Sequence, residues 1–95
     1  MVSFTSIYTI DYYDLMSIKE VAWKWIDEHK DEFIELSDKV WELAELGLVE
    51  FESAKLHVEM LRKHGFEVDH GVAGMPSAFV ATWGEGKPVI GFMGE

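Results

Sequence analysis

Pro76–Glu95, PSAFVATWGEGKPVIGFMGE, is the stretch whose reading decides the fold. It reads as two strands joined by a Gly-rich turn. Ser77–Trp83 is the first strand, Gly84-Glu85-Gly86-Lys87 the turn, and Pro88–Met93 the second strand. The second strand is apolar throughout and shows no polar alternation. Such a run suits a strand buried on both faces, as in the middle of an α/β sheet. That strand needs layers above and below it, and open α/β sheets gather ligands at the carboxyl ends of their strands. Here that end is Gly94-Glu95. The expectation is therefore the opening piece of a larger α/β enzyme, with Glu95 beside the place where its active site would begin.

Working outward, the preceding chain reads as helix, helix and a short strand. Ser17-Ile18-Lys19-Glu20 has the form of a capping box, in which the Ser hydroxyl and the Glu side chain satisfy each other's backbone N–H groups. Ile18, Ala22, Trp25, His29, Phe33, Leu36, Val40 and Leu43 follow at steps of three and four, with no Gly or Pro between them. This predicts one long helix over 18–46, ended by Gly47. Val21, Trp23, Ile26, Ile34 and Trp41 widen its apolar face beyond a two-per-heptad seam, which favours packing on a sheet over a coiled coil. Ser53 is placed to cap a second helix carrying Ala54, Val58 and Leu61 on one face. Gly65 stops that helix, and Arg62, Lys63 and His64 complement the negative end of its dipole. Phe66-Glu67-Val68 reads as a short strand, and 70–76 as a loop.

The 95 residues allow one small domain, and a chain of this size buries only roughly 60–65% of its unfolded surface. A hydrophobic content of 48% argues against disorder. The net charge is −10, with 12 of the 18 acidic residues in the helical half, 1–50. That balance disfavours binding to nucleic acid or to an anionic membrane, and reads as a solvated helix face. With no cysteine there is no disulfide framework and no thiolate metal site, which fits the cytoplasm. No apolar run approaches the ~18–20 residues that span a bilayer. MVSFTSIYTIDYYDLM carries Asp11 and Asp14 and no basic n-region, so it is a poor signal peptide. Residues 1–16 are set apart as an N-terminal extension, with Met16 as the expected natural start.

No catalytic grouping stands out among the side chains. His29, His57, His64 and His70 are the only imidazoles, and no His-Glu-x-x-His or His-x-Asp occurs. His57 and His64 share a helix face, but two turns hold them about 10.5 Å apart, too far for one metal ion with bonds of about 2 Å. Glu42, Glu45, Glu50 and Glu52 surround the end of the long helix and read as solvated. Gly84-Glu85-Gly86-Lys87 is half of a phosphate loop, without the following Ser or Thr and helix N-terminus, and reads as a turn. No residue is assigned as catalytic or as a metal ligand. Glu95 alone is singled out, as a wall of a site in an intact protein.

Several phrases together resemble the N-terminal region of the M20 metallopeptidase and amidohydrolase family. Trp41-Glu42-Leu43-Ala44-Glu45-Leu46-Gly47-Leu48-Val49-Glu50-Phe51-Glu52-Ser53-Ala54 resembles the family's helix ending in a "PELGFEE" type of phrase before a Ser/Thr-Ala helix start. Leu61-Arg62-Lys63-His64-Gly65-Phe66-Glu67-Val68 is similar to its "L…GF-x-V" passage into the first strand. Residues 74–81 and 86–95 resemble one branch, the aminobenzoyl-glutamate utilisation type of amidohydrolase. Ala44 stands where the family has Pro, and Val49 where it has the first Glu of a pair. The resemblance covers roughly residues 18–95.

The resemblance implies a partial α/β/α catalytic-domain fragment over 17–95: a long helix, a second helix, then three strands ending in a buried central strand. It implies hydrolysis of N-acyl amino acids or small peptides by the full-length protein, with a divalent metal, Zn or Mn, and a glutamate base. In peptidase branches a His of an H-x-D motif ends the strand corresponding to Pro88–Met93; here Glu95 stands at that position. No family ligand or base carries over, so the fragment is expected to be inactive alone and to bind the remainder of the catalytic domain or itself. The alternative is a free-standing small α/β protein that oligomerises or binds a partner.

Overall fold

The long apolar periodicity becomes a helix, α1, spanning Tyr12–Leu43. The computed structural model describes residues 12–95, with side chains from residue 17 onward. α1 starts earlier than the capping box predicts, and Ser17 lies inside it. Tyr-Tyr-Asp-Leu-Met before Ser17 contains neither Gly nor Pro, so nothing there stops the helix from extending backwards. The extension expected over residues 1–16 lies outside the described residues up to residue 11.

The chain divides into two units, Met1–Ser37 and Asp38–Glu95. In the first, the described backbone is helical throughout. Its side chains at i, i+4 and i+8 make an aromatic row. The His29 ring stacks on Trp25 at 4.0 Å between centroids, and Phe33 lies 5.8 Å from Trp25 in a tilted arrangement. His29 Nδ1 is 2.7 Å from the Trp25 carbonyl oxygen. Lys24 and Glu28 form an i, i+4 ion pair at 3.8 Å, both exposed, of a kind worth about 0.3–0.5 kcal/mol.

In the second unit α1 ends at Leu43, short of the expected Leu46. Ala44 takes a left-handed conformation, φ 46°, and breaks the helical path before Gly47 is reached. A connector, 44–50, leads to α2, Phe51–Lys63. α2 ends as the sequence predicts, in a Schellman arrangement. Gly65 has φ 87°, its N–H donates to the Arg62 carbonyl at 3.0 Å, and the Phe66 N–H donates to the Leu61 carbonyl at 3.0 Å.

The strands are β1, Glu67–His70, and β2, Phe79–Thr82, paired antiparallel. Glu67 faces Thr82, Val68 faces Ala81, Asp69 faces Val80 and His70 faces Phe79. Val68, His70, Phe79 and Ala81 therefore share one face of the sheet. α2 packs on both strands, and its Ala54 and Val58 are the buried apolar residues of the described chain. The Arg62 guanidinium donates to the Val68 carbonyl at 3.3 Å and ties the end of α2 to β1. Gly71, φ 82°, and a 3-10 turn, Val72–Gly74, carry the chain between the strands, and the Gly71 N–H closes the loop on the Ala78 carbonyl at 2.7 Å.

This corrects the expected hairpin. β2 pairs with the short strand before it, not with Pro88–Met93. The segment 88–93 is not a strand, and Val89, Ile90, Phe92 and Met93 are 73–97% exposed. A strand buried on both faces needs a hydrogen-bonding neighbour and two covering layers. Among the described residues of this unit the sheet has two strands and one packed helix, so those layers are missing. The mixed helix and strand composition agrees with the expected α/β class.

Candidate functional site

The best-built polar constellation is the junction between α1 and α2. The first N–H groups of a helix have no partner within it and need an external acceptor. Glu50 occupies the N-cap of α2 but makes no side-chain capping bond there. Its carboxylate instead accepts from the Leu48 N–H at 2.9 Å, bracing a connector in which Leu48 also has positive φ, 72°.

Glu45 supplies the missing acceptor. Its Oε2 accepts from the Glu52 N–H at 3.1 Å, and its Oε1 accepts from both the Ser53 N–H and the Ser53 hydroxyl at 2.6 Å. The Ser53 hydroxyl holds the Glu45 carboxyl below its ordinary value. Partial burial works against that, and the backbone N–H groups of Ser53, Glu52 and Phe51 add to the lowering. A carboxylate at a helix N-terminus is also favoured by the helix dipole. Ser53 is thus a donor to Glu45, and its expected role as the cap of α2 passes to Glu45. Sequence reasoning placed Glu45 among the solvated acids. The one signal that could have singled it out is its position just before a turn and a Ser-containing helix start.

The histidines are dispersed. His57 Nδ1 lies 2.8 Å from the Ser53 carbonyl oxygen, and its ring stacks over Phe79 at 6.4 Å. His70 meets the same Phe79 ring edge-on, also at 6.4 Å. The His64 N–H, at the end of α2, donates to the Met60 and Leu61 carbonyls. Among the described residues no group of three or more His, Cys, Asp or Glu could hold a metal ion. The donor set therefore does not fit the divalent metal implied by the resemblance. Gly84 and Gly86 have positive φ, 77° and 95°, but the hairpin they were expected to close does not form, and no helix starts after them. Glu95 is exposed at the end of the unpaired 88–93 segment.

The junction is a structural clamp. The chain is 36% identical over 70 residues, 74% of its own length, to a subunit of the p-aminobenzoyl-glutamate hydrolase of Escherichia coli strain K12. The resemblance to the M20 family therefore holds over this segment. The chain is also 40% identical over 63 residues, 66% of its length, to thermostable carboxypeptidases 1 and 2 of Saccharolobus solfataricus. It spans only 15–16% of the length of these M20 relatives. No family model matches the chain. No solved structure matches it either.

Proposed function

We propose that this chain is the N-terminal segment of an M20-type, metal-dependent amidohydrolase or peptidase that cleaves the amide bond of N-acyl amino acids or small peptides. The observation that carries this reading is its similarity to two kinds of hydrolase, one acting on an aminobenzoyl-glutamate and one a carboxypeptidase. Both kinds of substrate are amides whose leaving group is an amino acid. In the full-length enzyme a divalent metal, Zn or Mn, would supply Lewis-acid activation of the amide and of a water molecule, held by ligands other than the described residues. The described residues hold no ligand set for that metal, so no step of the reaction is assigned to them. Their contribution is architectural: α2 and the two strands form one corner of the catalytic domain, and Glu95 lines the site wall.

In the intact protein, 88–93 is a third strand, covered on both faces in an α/β/α sandwich. Its partner is the remainder of the catalytic domain, and the enzyme works in the cytoplasm. The exposed apolar side chains of 88–93 support this arrangement, because so many in one short segment call for a covering surface.

The test is an amidase assay of the purified 95-residue chain on p-aminobenzoyl-glutamate and N-acetyl amino acids, with added zinc or manganese. The intact mass of the native protein is measured alongside. The expected result is no hydrolysis by the chain and a native mass several times 10.9 kDa. Metal-dependent turnover by the chain alone overturns the assigned inactivity. A native mass near 10.9 kDa, together with a discrete folded oligomer in sedimentation, favours a free-standing partner-binding protein instead.

A further inference from the structure

We draw no further inference here: the strongest candidate, the exposed apolar patch of Val89, Ile90, Phe92 and Met93 beyond the hairpin, carries none because nothing in the structure shows what covers it other than the domain remainder already proposed.

Discussion

Glu45 is the residue on which the junction between the helices turns. Its carboxylate takes three donors at the start of α2, from Glu52 and Ser53. Because those bonds favour the ionised form, the folded chain ionises Glu45 at lower pH than the unfolded chain does. The unfolded state therefore binds more protons in that interval, and stability rises with pH across it. The contribution is complete above the ordinary glutamate range, about 4.3, and disappears as pH falls through the lowered folded value. Circular dichroism between pH 7 and pH 3 should show helix loss at the acid end. Glu45→Gln should lower helicity at pH 7 and remove that acid-sensitive part; an unchanged acid profile in the variant would place the titration elsewhere. Gly65 is a second such residue. Its φ of 87° is left-handed, where a Cβ is strained. Gly65→Ala should cost about 1 kcal/mol locally. That corresponds to a roughly five-fold loss of hydrogen-exchange protection at the Phe66 N–H. Ala44, with φ 46°, offers the converse. Ala44→Gly should strengthen the end of α1 by about 0.5–1 kcal/mol, read as slower exchange in its last turn.

At the scale of elements, α2 with β1 and β2 is the part that packs. Val58 is 2% exposed and anchors the helix on the sheet face that bears Val68, Phe79 and Ala81. Val58→Ala removes two methyl groups and leaves a void, a loss of about 2 kcal/mol. The expected readout is faster amide hydrogen exchange across α2 and the β1–β2 pair. The stop of α2 at Gly65 and the helical period of α1 were legible in the sequence, because each depends on neighbours a few residues away. The start of α1 was less legible. A capping box permits a helix to begin at Ser17 but does not forbid one that begins earlier. The cap of α2 was not legible, since Glu45 reaches across seven and eight residues to Glu52 and Ser53 through a connector with two left-handed residues. Spacing rules written for adjacent turns do not see that contact.

At the scale of the whole molecule, the decisive fact is how few side chains are buried. Among the described residues the core consists of Ala54 and Val58, while Trp41, Trp83 and Phe92 are 72–97% exposed. Burial of apolar side chains is the main force that offsets the entropy of ordering a chain. The 95-residue chain alone should therefore unfold without a sharp cooperative transition and should bind the dye ANS strongly at neutral pH. A steep thermal transition with little dye binding would instead mean that the apolar surface is covered by self-association, and sedimentation would identify the oligomer. The sequence by itself determined the two helices, the stop of α2 at Gly65 and the resemblance to M20 hydrolases, since these reside in local order and residue type. Only the tertiary structure decided that β2 pairs back to β1 and that Glu45 caps α2. It also decided that 88–93 stays unpaired here. A strand is completed by its neighbours in space, and an apolar run states only that it needs burial, not which surface provides it.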